Sequence, residues 1–170
     1  MRESRLLNTG PKSPVAQARR LLYQKTLRRI REATEAGFAL EAVTLLESAI
    51  SDRIEARVER LGVEIKTRGK FWPLTKMLSA LVSSKSNEEE EIKDVCRKLT
   101  PWAAERNKAL HGLAKLVKIE DQSWDQKYES AQKAAQKGLE LFRELDKALK
   151  RIQRRERRAV ERSGDKSNQV

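Results

Sequence analysis

The feature of this sequence that most constrains its fold is a run of small and apolar residues near the C-terminus, spaced three and four apart. The run passes along Tyr128, Ala131, Ala135, Gly138, Phe142, Leu145, Leu149 and Ile152. This spacing, kept over roughly three heptads, places every member on one face of a continuous helix. Because such a long helix buries that face only against other helices, the chain is predicted to form a helical bundle.

Earlier segments predict shorter helices that are separated by glycine. Residues 15–36 favour helix and Gly37 interrupts them. Residues 38–61 carry a second apolar stripe, and Gly62 ends it. A short helix is expected at 71–82. The apolar stripe of the second helix consists of Ala39, Val43, Leu46, Ile50, Ile54 and Leu61.

Two positions are typical of helix starts in the middle of the chain. Asn87 precedes four consecutive glutamates, and Thr100 precedes Pro101. Asn and Thr are favourable N-caps, acidic residues stabilise the first turn, and proline is tolerated there. We therefore expect two helices, or one kinked helix, over 87–99 and 101–118.

The fold class predicted from these patterns is all-α, a four- to five-helix up-and-down bundle that ends in a long basic helix. Asp121 and Ser123 are candidate caps for that last helix. The expected organisation is a loose arm at 1–14, one bundle domain at 15–152, and a basic helix end with a polar tail at 153–170.

The charge of the chain favours a polyanionic partner. Lys and Arg total 37 against 25 Asp and Glu, which gives a formal net charge of +12. Such a charge attracts nucleic acid in a salt-dependent way. The end of the last helix is either a solvated surface or an electrostatic arm for RNA. Its candidate RNA-binding residues are Arg154, Arg155, Arg157 and Arg158, with Arg162 beyond them.

Cysteine and hydropathy indicate a cytoplasmic protein. Cys96 is the single cysteine, so no internal disulfide forms, and we expect it to be a small buried hydrophobe. No apolar run reaches the roughly 18 residues of a membrane span, and residues 1–14 lack a signal-peptide core. The three tryptophans, Trp72, Trp102 and Trp124, are expected to anchor the core or an interface.

The single histidine belongs to a motif. The string Arg106, Asn107, Lys108, Ala109, Leu110, His111 resembles the motif of HEPN superfamily ribonucleases, which place Arg, a polar residue that is often Asn, and His a few residues later. Residues 45–57, with Ser48, Asp52 and Arg53, resemble the second helix of bacterial HEPN proteins. One histidine and one cysteine make a zinc site improbable, and no cofactor is expected.

The resemblance implies a HEPN-like bundle that cleaves RNA as a homodimer without a metal. In that activity His111 would exchange protons with the 2'-hydroxyl and the departing 5'-oxygen, and Arg106 would offset phosphoryl charge. Asn107 would orient the imidazole or the phosphate. The RNA backbone would contact Lys108, Lys115 and Lys118.

The biological role follows from the resemblance alone. Many HEPN ribonucleases are toxins of toxin-antitoxin pairs or act in anti-phage defence, which implies a cognate antitoxin or regulatory protein as a partner. HEPN toxins that a nucleotidyltransferase controls carry Tyr two residues after the histidine. This chain has Leu113 there, so that form of control is not expected.

Helical spacing gives an independent argument about the motif. Arg106 lies in the middle of an apolar stripe, and His111 diverges from it by about 140°. A guanidinium among apolar residues must be either paired or functional, and Glu47 on the second helix is the candidate partner. Two copies of the motif helix around a two-fold axis would bring both pairs of Arg and His into one cleft. The stripe consists of Leu99, Trp102, Leu110, Leu113 and Val117.

Two other functions stay open from the sequence. One is a catalytically silent HEPN-like bundle that binds RNA or a protein partner, and the other is a structural helical adaptor without a nucleic-acid role. In both, His111 is a surface residue and the Arg106 pair is structural. Gly112 in mid-helix costs about 1 kcal/mol relative to Ala, which fits either a close approach by a partner or a tolerated glycine.

Overall fold

The computed structural model describes residues 13–65, 72–85, 89–114 and 123–167, without the side chains at 113–114, 160–161 and 163–167. Within these ranges it contains helices and no strands, so the predicted all-α bundle is confirmed. None of the described helices is both long enough and apolar enough to cross a membrane. The elements are α1 (Pro14–Glu35), α2 (Ala39–Arg60), α3 (Leu74–Ser83), α4 (Glu90–Ala114) and α5 (Trp124–Ser167).

The start of α1 and the ends of α1 and α2 lie at residues that local chemistry favours. The Ser13 hydroxyl accepts a hydrogen bond from the Ala16 amide at 3.1 Å, with proline directly after it at the first helical position. Gly37 has a φ of 78° and Gly62 a φ of 62°, the left-handed conformation that closes a helix with little strain only in glycine. Both predicted glycine breaks are confirmed.

α4 runs through Pro101 without interruption, and the expectation of a cap at Thr100 is wrong. Thr100 lies inside the helix, where its hydroxyl donates to the Cys96 carbonyl at 2.9 Å. Leu99 and Trp102, on either side of the proline, are both fully buried. Their packing holds the helix together although the proline removes one backbone donor. Asn87, the other expected cap, lies outside the described residues.

The start of α5 confirms one of its two candidate caps. The Ser123 hydroxyl accepts from the Gln126 amide at 3.3 Å, and the Ser123 amide donates to the Gln126 side chain at 3.0 Å. This reciprocal pair satisfies two donors that a helix start leaves open. Asp121 lies outside the described residues. The seam is buried from Ala131 to Ile152, with Tyr128 half-buried at its start.

The four long helices alternate in direction around two clusters of buried side chains. α4 and α5 are antiparallel, as the ion pairs Lys98–Glu144 and Arg151–Glu91 show. One cluster holds large side chains from all five helices. The other, called the alanine end below, holds the smaller residues Ala33, Ala39, Ala42, Val43, Ala109, Ala131, Ala134 and Ala135. Alanine there lets helix backbones approach closely.

Cys96 lies in the cluster of large side chains, as expected for a structural cysteine. It is fully buried, and this burial raises the pKa of its thiol to about 12. The thiol therefore stays protonated and packs as a small apolar group.

A close contact between α4 and α5 depends on glycine. The Trp102 ring lies on Gly138, and its indole N–H donates to the Ala134 carbonyl at 2.9 Å. A Cβ atom at position 138 would meet the Trp102 ring at 2.7 Å. At Gly112, in contrast, an added Cβ meets nothing within 4 Å.

These two glycines give a matched pair of variants. We expect Gly138→Ala to lower the free energy of unfolding by about 1 to 3 kcal/mol, because a buried ring must move. Gly112→Ala should raise it by up to about 1 kcal/mol, because alanine is the better helix former and has space. Urea unfolding followed by circular dichroism measures both changes. Equal effects at the two positions would contradict the packing described for Trp102.

Candidate functional site

The motif lies on the last turns of α4, and its members point to different sides of that helix. Arg106 is only 13% exposed, whereas Asn107, Lys108 and His111 are exposed. Because α4 is continuous over this stretch, Arg106 and His111 keep the divergence of about 140° that their spacing gives. One chain therefore does not direct both side chains toward the same phosphate.

Arg106 is fixed by an acidic residue on α2. Its Nη2 donates to Oε1 of Glu47 in an ion pair, which the sequence predicted. The Nε of Arg106 is buried and has no hydrogen-bond partner among the described residues. A buried donor without an acceptor costs about 1–3 kcal/mol, so the ion pair satisfies this guanidinium only in part.

His111 differs from Arg106 in having no orienting contact. Its side chain is exposed, and in the part of the chain that the structure describes it makes no hydrogen bond and no ion pair. A general acid or base acts through a defined ring nitrogen at hydrogen-bond distance from the proton it transfers. No described residue supplies a contact that would select that nitrogen.

The alanine end holds the motif helix in place. Ala109 is buried there, and Leu110 packs against the same cluster. The Tyr128 hydroxyl donates to the Gly37 carbonyl and ties the start of α5 to the turn between α1 and α2. Leu110 thus packs against the core of its own chain. A charged residue at this position would destabilise the fold, so its effect on dimer formation could not be separated from unfolding.

The three tryptophans have three different environments. Trp102 is buried in the core, as expected, and Trp72 packs at the edge of the core. Trp124 is 59% exposed, so it does not lie in the core of this chain, and its expected role as an interface anchor stays a prediction. Phe38 is also exposed, one residue after the glycine that Tyr128 contacts, and this exposure was not predicted. The sequence signal for its exposure is its position between the glycine break and Ala39, the first buried residue of α2.

The residues predicted to bind RNA do not form one cluster. Lys108 lies near the alanine end, while the predicted arginines lie at the opposite end of α5, where Arg155 pairs with Glu89. From Ala135, in the alanine end, to Arg155 the helix rises by about 30 Å. Lys115 and Lys118 lie outside the described residues. The four arginines named from sequence are Arg154, Arg155, Arg157 and Arg158.

The basic end of α5 is docked on the bundle. Glu156 pairs with Arg57 at 2.9 Å and with Arg60 at 2.7 Å, both on α2. Arg155 pairs with Glu89 at 2.9 Å on the other side. Arg57 is 6% exposed, so its pair with Glu156 is screened from solvent more than a surface ion pair is. Ion pairs therefore attach this part of α5 to α2 and to the residue before α4.

A groove lies between α1, α2 and α5, away from the motif. Its volume is about 910 Å³, and none of the motif residues lines it. Arg53, which the resemblance to HEPN proteins included, lies there with its guanidinium 4.0 Å from the Tyr23 ring centre and pairs with Asp146 at 2.8 Å. Burial raises the pKa of Tyr23 well above its usual value. These contacts join the three helices that line the groove.

Comparison with known proteins does not identify the chain. It matches no family model, no curated protein and no solved structure. In the ranges that the structure describes, no group of three or more His, Cys, Asp or Glu side chains is placed to hold a metal ion.

Proposed function

We propose that this protein is a HEPN-type endoribonuclease that cleaves RNA without a metal, at a site shared by two copies of the chain. The observation that carries the proposal is the arrangement of Arg106 and His111. One is held inward by Glu47, and the other is exposed on a different side of the same helix. A two-fold axis beside α4 would place Arg106 of one chain opposite His111 of the other.

The chemistry follows from the two side chains. His111 takes the proton of the RNA 2'-hydroxyl, and the 2'-oxygen attacks the adjacent phosphorus. The bond from phosphorus to the 5'-oxygen breaks, and this oxygen takes a proton from an imidazolium or from water. Arg106 offsets the charge that builds on the phosphoryl oxygens. The products are a 2',3'-cyclic phosphate and a 5'-hydroxyl end.

Neighbouring residues on α4 have supporting roles. Asn107 orients the imidazole or the phosphate, and Lys108 contacts the RNA backbone, since both are exposed beside His111. The resemblance to HEPN ribonucleases extends the proposal to a cytoplasmic toxin or anti-phage defence protein, with a cognate antitoxin or regulatory protein as its inhibitor.

A second candidate function is a bundle that binds RNA or a protein without cleaving it. It is favoured by the absence of any contact that orients His111 within the described residues. In that case the pair between Arg106 and Glu47 is structural, and the exposed histidine has no catalytic role.

Cleavage of RNA in the presence of EDTA separates the two functions. We expect the purified protein to cut RNA in EDTA and to leave 2',3'-cyclic phosphate ends, because nucleophile, acid and base all come from the substrate and the side chains. The ends are identified by their resistance to ligation until the cyclic phosphate is removed. Salt-dependent binding without cleavage would support the second function and contradict the first.

A further inference from the structure

The acidic residues in the basic part of α5 are all engaged by other helices. Between positions 143 and 158 the acidic residues are Glu144, Asp146 and Glu156. Glu144 pairs with Lys98 on α4, Asp146 with Arg53 on α2, and Glu156 with Arg57 on α2. Asp146 also pairs with Lys150 of its own helix, and none of the three pairs with another cation of this stretch.

The basic residues of the same stretch fall into two groups. Arg151 and Arg155 pair with Glu91 and Glu89 at the start of α4, and Lys150 pairs with Asp146. Five others are exposed and make no ion pair with any described residue. One of the five, Arg157, donates to the Gln153 carbonyl of its own helix at 3.5 Å. The remaining four, called the basic ridge, are Arg143, Lys147, Arg154 and Arg158.

Helical spacing puts the basic ridge on one line. At about 100° per residue its four members fall within a sector of about 60°, on the side opposite the buried seam. From Arg143 to Arg158 the ridge extends over about 22 Å. A straight row of unpaired cations is suited to the repeated charge of a phosphate backbone.

We propose that the basic ridge is a binding track for the backbone of an RNA strand. This inference rests on the proposed function for its substrate, and it changes the set of backbone-binding residues named from sequence. Arg154 and Arg158 are kept, and Arg143 and Lys147 are added. Arg155 is excluded because it is paired, and Arg157 because it bonds the backbone of its own helix and lies outside the line of the ridge. Backbone contacts position the strand and give affinity without reading sequence.

The surroundings of the ridge favour nucleic acid over a lipid surface. A helix that binds in the plane of a membrane exposes a broad apolar face. The apolar face of α5 is buried against the bundle, and no large hydrophobic residue between 143 and 158 is exposed. The exposed surface of this part of α5 therefore provides charge without an apolar anchor.

Two variants with the same change in net charge test the track. The ridge variant replaces Arg143, Lys147, Arg154 and Arg158 with Gln. The control variant replaces the paired cations Lys93, Lys98, Arg151 and Arg155 with Gln. Both are made in the His111→Ala protein, so that RNA is bound but not cut, and circular dichroism verifies the fold.

The affinity for a labelled single-stranded RNA is measured over a series of salt concentrations. We expect the ridge variant to bind at least about tenfold more weakly, and the slope of log K against log salt to become shallower by about 3, from roughly 0.7 for each of four contacts. The control should change both quantities much less. Equal losses in the two variants, or no RNA binding by the parent, would overturn the track.

Two further readouts separate this inference from its alternatives. If the protein does not cleave RNA, but the ridge variant loses RNA binding and the control variant does not, the binding track is supported and the proposed ribonuclease activity is contradicted. Vesicles of phosphatidylserine and phosphatidylcholine serve as the lipid probe. Ridge-dependent binding to these vesicles, with unchanged binding to RNA, would overturn the track in favour of a membrane surface.

Discussion

Replacing His111 with alanine is expected to slow RNA cleavage by a factor of about 10² to 10⁴, the contribution of a positioned general acid or base. The free energy of unfolding should change by less than about 0.5 kcal/mol, because the side chain is exposed and makes no hydrogen bond or ion pair with described residues. Single-turnover cleavage of a labelled RNA in EDTA and urea unfolding measure the two quantities on the same preparation.

A neighbouring exposed residue supplies the control for this experiment. Glu105 lies on the same helix, is exposed, and has no proposed role, so Glu105→Ala should leave cleavage within about twofold of the parent. If the His111→Ala protein cuts RNA as fast as the Glu105→Ala protein, His111 is not a catalytic residue. The second candidate function, binding without cleavage, would then remain.

Much of the fold was predictable because the signals that specify it are local. The spacing of the α5 seam, the two glycine breaks and the Ser123 cap each depend on residues close together in sequence. The ion pair between Arg106 and Glu47 was also predictable, since a guanidinium in an apolar stripe requires an acidic partner on the helix it faces.

Features that depend on tertiary packing could not be predicted in this way. Thr100 and Pro101 form a good local start signal, but burial of the side chains around them keeps α4 continuous. Trp124 has a large apolar side chain of the kind that is usually buried, yet it is exposed in the bundle. The sequence could not show which arginines of α5 face glutamates of α4, because that depends on the relative position of two helices.

The same distinction applies to the candidate site. Spacing alone predicts that Arg106 and His111 diverge, and the continuous helix keeps that divergence. The sequence did not show that Lys108 lies near one end of the bundle and Arg155 near the other. Their separation follows from the antiparallel packing of α4 and α5, which only the folded chain displays.

The central claim is that Arg106 of one chain works with His111 of another. Two mixed dimers with identical composition test it. The trans dimer joins an Arg106→Ala chain to a His111→Ala chain, and the cis dimer joins an unaltered chain to a chain with both substitutions. Each dimer holds one arginine and one histidine of the motif. In the trans dimer they come from different chains, and in the cis dimer from the same chain.

Both mixed dimers are isolated through two different affinity tags. The stability of each is measured beforehand, because Arg106→Ala also removes the ion pair with Glu47. The measurement is the rate of RNA cleavage in EDTA by the two mixed dimers at equal concentration. The shared site predicts that the trans dimer is at least about tenfold faster, since misplacing one catalytic group costs up to about 10²-fold. A cis dimer that cuts as fast as the trans dimer, or faster, would contradict it.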